Sequence, residues 1–151
     1  MVEEGAPAPD FELRSDEGET VKLSALRGKP VVLYFYPKDD TPGCTTEACE
    51  FRDAYDRFRE QGVEILGVSP DTEASHRKFK SKYELPFTLL ADPDHEVAEA
   101  YDVWKEKRNY GKTYHGVERS TFVIDAEGKV ARAMRGIRPA GHAAQVLETL
   151  P

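Results

Sequence analysis

The chain has 151 residues, 39% of them hydrophobic, with one Trp, seven Tyr and seven Phe, which is enough apolar mass for one core of ordinary domain size. Against 21 Lys and Arg stand 28 Asp and Glu, and the net charge of −7 repels phosphate backbones and anionic lipid, so nucleic-acid and membrane-surface binding are excluded as leading functions. No apolar run approaches the roughly 18 to 20 residues of a membrane span, and the acidic start Met1-Val-Glu-Glu-Gly lacks the pattern of a signal peptide, so a cytoplasmic protein with one domain over residues 1–151 is expected.

In chain order, the Pro- and Ala-rich residues 1–10 are expected to run extended over the surface. Phe11-Glu-Leu13 and Val21-Lys-Leu23 alternate apolar and polar about Ser15-Asp-Glu-Gly18, the pattern of a small antiparallel hairpin. Val31-Val-Leu-Tyr-Phe-Tyr36 is β-branched and aromatic throughout, a strand buried on both faces, and Pro37 ends it. Asp39, Asp40, Thr41, Pro42 and Gly43 form turns, and a helix is predicted from about Thr45 to Gln61 with Gly62 as its stop. Val63–Ser69 is a second buried strand, so strand, helix and strand form a parallel unit. Further on come a charged helix over Asp71–Tyr83, a strand over Phe87–Ala91 and a short helix over Asp94–Tyr101. Residues 103–118 show no period and are read as a covering loop. Ser120–Asp125 and Lys129–Met134 flank Ala126-Glu-Gly128 as a hairpin, and Gly141–Leu150 is a closing helix. This order implies an α/β fold, a mixed sheet between helices with the turn after Tyr36 at a strand's carboxyl end, where open α/β sheets place their sites.

Both cysteines lie in the helix that follows that turn. Cys44 falls at or near its first turn, where unpaired N–H groups and the positive end of the macrodipole favour a thiolate. At about 100° per residue, Ala48, Phe51, Tyr55 and Phe58 lie within about 40° of Cys44 on one apolar stripe, whereas Cys49 is about 140° away and nearer solvent. Five residues along an ideal helix separate the two Cα atoms by about 9 Å, beyond the roughly 7 Å reach of a disulfide, so a bond between them requires the helix to unwind. Two cysteines so close in a reducing compartment are expected to be redox-active rather than a permanent staple.

The spacing Pro37-x-x-x-Thr41-x-x-Cys44 with a distant Arg119 resembles the active-site motif of the peroxiredoxins. Tyr34-Phe-Tyr-Pro-Lys38, Thr41-Pro-Gly-Cys-Thr45, Gly111-Lys-x-Tyr114-x-Gly116-x-x-Arg119-Ser-Thr-Phe122 and Gly141-His142 extend the resemblance, over nearly the whole chain, to the bacterioferritin comigratory protein or PrxQ subgroup. The resemblance implies a thioredoxin-like three-layer sandwich with an N-terminal β-hairpin. It assigns Cys44 as the peroxidatic cysteine that attacks hydrogen peroxide or an organic hydroperoxide and becomes a sulfenic acid. Thr41 would offer its hydroxyl to the peroxide, with the N–H groups around Gly43 and Cys44 completing the cradle. Arg119 would supply a fixed charge, and Pro37 and Pro42 would shape the pocket. Glu47 would either hold the site's polar network or serve the helix dipole. Cys49 corresponds to the resolving cysteine, giving an intramolecular disulfide that thioredoxin or a similar dithiol protein reduces. A monomer with no cofactor is implied.

With two cysteines and no paired Cys-x-x-Cys or His-x-x-x-His, a structural metal site is not expected. His76 and His95 read as surface residues on polar helical faces, His115 lies in the covering loop near Arg119, and His142 starts the last helix. Trp104, Tyr110 and Tyr114 read as loop residues packed on the core. Two other functions compete with the peroxidase. A thioredoxin-like dithiol oxidoreductase would need a cysteine where Thr41 stands, and a redox-inert binding module with a permanent disulfide conflicts with the helical spacing.

Overall fold

The computed structural model describes residues 2–150. Its strands, in order, are β1 (Glu12–Ser15), β2 (Thr20–Lys22), β3 (Val31–Phe35), β4 (Glu64–Ser69), β5 (Thr88–Ala91), β6 (Trp104–Asn109), β7 (Lys112–Val117), β8 (Ser120–Ile124) and β9 (Val130–Met134). The helices are α1 (Pro42–Asp53), α2 (Tyr55–Glu60), α3 (Glu73–Tyr83), α4 (Glu96–Ala100) and α5 (His142–Thr149).

Seven strands form one mixed sheet in the order β2-β1-β5-β4-β3-β8-β9. β3, β4 and β5 run parallel, with Leu33 opposite Leu66 and Val68 opposite Leu90, while β8 lies antiparallel on the other side of β3 with Phe122 opposite Leu33. Every residue of β3 is buried. Its alternate side chains feed two cores, as a strand's period of two requires. Leu33 and Phe35 join Val68, Tyr101 and Phe122 beneath α4 and the N-terminal segment, whereas Val32, Tyr34 and Tyr36 join Cys44, Phe51, Phe58, Phe79 and Val146 beneath α1, α2, α3 and α5. At roughly 1.5 to 3 kcal/mol per fully buried large apolar side chain, these two clusters hold the sheet and its helices together. The expected α/β layering and both hairpins of the main sheet are present. Of the residues expected to run extended at the start, Met1 lies outside the described residues; Gly5 and Ala8 donate to Val130 O and Gly128 O beside β9.

Two expectations need correction. The helix predicted over 45–61 begins earlier, at Pro42, and is interrupted at Ala54, whose φ of −94° and ψ of 1° bend the chain between α1 and α2. Tyr55, just past the bend, still packs against the core that Cys44, Ala48, Phe51 and Phe58 enter, half-buried with the Arg59 guanidinium 5.9 Å from its ring centroid. Residues 103–118 are not a loop: β6 and β7 pair as a separate two-stranded sheet, Trp104 opposite Val117, turning through Tyr110 and Gly111 at φ of 52° and 75°. Positive φ at both turn residues is the geometry whose twist suits a tight hairpin, and Gly111 takes it without strain. Polar residues occupy both faces of most of this ribbon, so it carries no alternation to read.

Candidate active site

Residues far apart in sequence meet at the carboxyl end of β3. Half-buried Pro37 leaves the strand, the chain turns, and α1 starts with Thr41 as its cap residue and Pro42 in the first turn, where a missing N–H costs nothing. Thr41 does not cap in the usual way, because its hydroxyl donates to Lys38 O at 2.9 Å. In consequence the N–H groups of Gly43 and Cys44 have no protein acceptor among the described residues and remain available to an anion. With its hydrogen given to Lys38 O, the Thr41 oxygen keeps lone pairs that can accept.

Cys44 is 1% exposed. Arg119, just before β8, donates from Nη2 to Cys44 Sγ at 3.3 Å and from Nη1 to Glu47 Oε1 at 2.8 Å. One guanidinium thus joins sulfur and carboxylate, a use of its forked donors that lysine could not copy. Gly43 makes room for it: a methyl group there would lie 3.1 Å from Arg119 Nη2 and 3.4 Å from Pro139 Cγ. Pro139, on the segment before α5, is a wall of the site that no sequence pattern indicated.

Glu47 is fully buried, and its Oε2 has no hydrogen-bond partner among the described residues. Burial pushes its pKa up to about 7 against the pull of Arg119. The Tyr34 hydroxyl, in the same cluster as Cys44, is likewise buried without a partner, and burial, then the charges of Glu47 and Cys44, hold it protonated. Lys107, within the stretch read as a loop, donates to Val117 O at 2.6 Å. Burial first and Arg119 second press its pKa below the usual lysine range, while Cys44 pulls the other way.

A raised Glu47 pKa has a definite sign in stability. The folded state holds a proton that the unfolded chain releases above about pH 4.5, so this contribution is complete below that pH and is lost as pH rises through about 7. Glu47→Gln removes the ionisation. Its thermal stability relative to wild type is expected to climb between pH 5 and pH 8, by up to about 3 kcal/mol at 1.36 kcal/mol per pKa unit. Melting curves of both proteins at the two pH values test this, and a pH-independent difference would contradict it.

Cys49 is half-buried on α1, and both cysteines are free thiols. Arg119 meets Cys44, Pro37 and Thr41 lie on the turn between β3 and α1, and Cys49 lies farther along the same helix. Among the histidines, His76 departs from the expected surface position, whereas His142 starts the last helix as expected. His76 is wholly buried, because Asp39 and Leu90 O satisfy its ring, and His95 stacks on Trp104 with ring centroids 4.0 Å apart. His115 is exposed on β7, and buried His142 meets Thr121 Oγ1 at 2.7 Å, tying α5 to β8. Tyr110 and Tyr114 do not pack on the core: they are 97% and 48% exposed.

A buried thiol beneath a guanidinium, at a helix start with free N–H groups, can hold negative charge on sulfur and on an oxygen beside it. Residues 5–133 match the AhpC/TSA family. The chain belongs to that family. As a peroxiredoxin it is 57% identical over 149 residues to peroxiredoxin Bcp of Bacillus subtilis, covering 99% of this chain and 95% of the relative. With peroxiredoxin Bcp of Escherichia coli it shares 44% identity over 146 residues, 97% of this chain and 94% of the other. The bacterioferritin comigratory protein of Xanthomonas campestris, whose structures concern its alkyl peroxide reduction activity, superposes with a TM-score of 0.91 at 42% identity over 97% of this chain and 96% of that one. A cysteine-to-serine mutant of Xylella fastidiosa PrxQ gives 0.93 at 36% identity over 98% and 94%. This peroxiredoxin is therefore of the Bcp/PrxQ kind, with a thioredoxin-like fold and thiol peroxidase activity.

Proposed function

We propose that Cys44 is the peroxidatic residue and Cys49 the resolving one, within a single domain that acts as a cytoplasmic monomer on hydrogen peroxide and organic hydroperoxides. The observation that supports this most is the forked contact of Arg119 with Cys44 Sγ and Glu47 Oε1 at the first turn of α1. The Cys44 thiolate attacks the terminal peroxide oxygen, the O–O bond breaks, and sulfur becomes a sulfenic acid while the departing alkoxide or hydroxide takes up a proton. Arg119 and the N–H groups of Gly43 and Cys44 face the negative charge shared between sulfur and oxygen. Thr41 accepts a hydrogen bond from the peroxide, and Pro37 closes the wall.

Cys49 then attacks the sulfenic sulfur, forming the disulfide and releasing water. Both residues lie in the unbroken helix Pro42–Asp53, so their Cα atoms stand about 9 Å apart and α1 must unwind for this step. A dithiol protein of the thioredoxin type reduces the bond and returns both thiols.

The test is peroxide consumption by purified protein supplied with thioredoxin, its reductase and NADPH; absence of consumption would refute the proposed reductant. Cys49→Ser is expected to accumulate one sulfenic acid at Cys44, seen by mass as a dimedone adduct, with thioredoxin-dependent turnover reduced roughly 100-fold or more. Full turnover in that variant would remove Cys49 from the mechanism.

A further inference from the structure

Two consecutive aspartates that the sequence presents only as turn formers fasten the catalytic loop to α3. Asp40, at a φ of 56°, accepts from Lys82 Nζ and Tyr83 Oη, each at 2.8 Å. Asp39 reaches deeper. Its Oδ1 accepts from Tyr36 Oη at 2.6 Å, its Oδ2 accepts from Ser75 Oγ at 2.8 Å and faces His76 Nδ1 at 2.7 Å, and its backbone N–H donates to Asp71 Oδ2 at 2.8 Å. His76 Nε2 lies 2.9 Å from Leu90 O, which can only accept, so Nε2 carries a hydrogen. Asp39 already accepts from two hydroxyls, and the short contact between its Oδ2 and Nδ1 needs one hydrogen between them. The two side chains are a buried, hydrogen-bonded pair. Oxygens of Asp39 and Asp71 with Nδ1 of His76, all within 4.8 Å of one another, would also suit a divalent cation, but hydroxyl donors from Ser75 and Ser69 at 2.8 and 2.6 Å occupy the two carboxylates. A proton fills the place of the metal.

We infer that Asp39 and His76 are positioning residues for the peroxide step. The hydrogen bond between them fixes the loop two residues before Thr41 and five before Cys44, so that the pocket keeps its aim at Arg119 each time α1 refolds. This rests on Cys44 being the residue oxidised. Breaking the pair on one side leaves a buried polar group without its partner in the loop's anchor, and a displacement near 1 Å at a reacting centre can cost about 100-fold in rate.

The experiment has two arms. In reduced ¹⁵N-labelled wild type at pH 7, the His76 Nε2–H signal is expected to be protected from water and unmoved by added Zn²⁺. An Nε2–H that exchanges freely with water, or a shift of the ring signals on adding Zn²⁺, would overturn the inference without any variant having to fold. In single-turnover oxidation by hydrogen peroxide, His76→Leu is expected to slow Cys44 oxidation about 10- to 30-fold. His76→Gln should recover most of that rate, and disulfide formation after oxidation should change less than twofold. Equal slowing of both steps, or of neither, would refute the inference. Loss of turnover in Cys44→Ser beside normal behaviour in His76→Leu would refute it alone, whereas turnover retained in Cys44→Ser would refute the reading beneath it.

Discussion

Cys44→Ser is expected to lose peroxide reduction by roughly 10⁴-fold or more while still folding, measured as peroxide consumption and as a melting curve. The size follows from chemistry rather than packing. Serine is close in volume, and its hydroxyl can accept from Arg119 Nη2 where Sγ now does at 3.3 Å, so the buried cation keeps a partner. What disappears is the electron donor. A serine hydroxyl does not ionise near neutral pH even beside a guanidinium, and oxygen attacking the O–O bond would produce another peroxide instead of a reduced product. Sulfur accepts the oxygen as a stable sulfenic acid, and no other thiol on the intact helix occupies the pocket beneath Arg119. Residual activity within about tenfold of wild type would show that Cys49 can act as the primary nucleophile.

Legibility in the sequence depended on how much of each signal is local. The all-apolar run Val31–Tyr36 followed by a turn and an amphipathic stripe is contained in about 30 residues, and β3, α1 and the burial of Cys44 follow from it. Arg119 is different: 75 positions separate it from Cys44, and only the family motif brought the two together before the fold did. Glu47 offered two readings because its partner, Arg119, is 72 positions away in the chain, and nothing local distinguishes a helix-dipole glutamate from a buried one. His76 was misread for the same reason. Its neighbours Ser75, Arg77 and Lys78 are polar, and a polar face reads as solvated, but Asp39 and Leu90 O, from other elements, satisfy that ring in the interior. The ribbon of β6 and β7 escaped because a strand pair wet on most of both faces has no hydrophobic period, so Lys107 went unnoticed as a neighbour of Arg119.

Arg119→Met is expected to slow oxidation of Cys44 by about 10² to 10³-fold, the range for removing one aligned donor from a charge-stabilising site. Methionine preserves much of the aliphatic packing, so the loss reports the charge and its two hydrogen bonds. The second of those bonds decides what happens to stability. Removing one partner of a buried ion pair commonly costs about 3 to 5 kcal/mol because the other charge is left uncompensated. Here Glu47 has an escape, since its pKa is already about 7 with Arg119 present and that cation is what lowers it. Without Arg119 it rises further, and Glu47 takes up a proton at neutral pH instead of standing as a bare buried charge. Folded Glu47 then binds a proton over a wider range above the unfolded value of 4.5, and this contribution is lost as pH climbs through the new, higher pKa. The variant should therefore be nearly as stable as wild type at pH 6 and fall behind it progressively above pH 7, which thermal melts across that range would show. Arg119→Lys should regain the charge without the fork, because a single ammonium cannot align with both Sγ and Oε1, and recover only part of the rate. Full recovery with lysine would mean that field strength alone, and not the paired geometry of sulfur and carboxylate, sets the speed of the peroxide step.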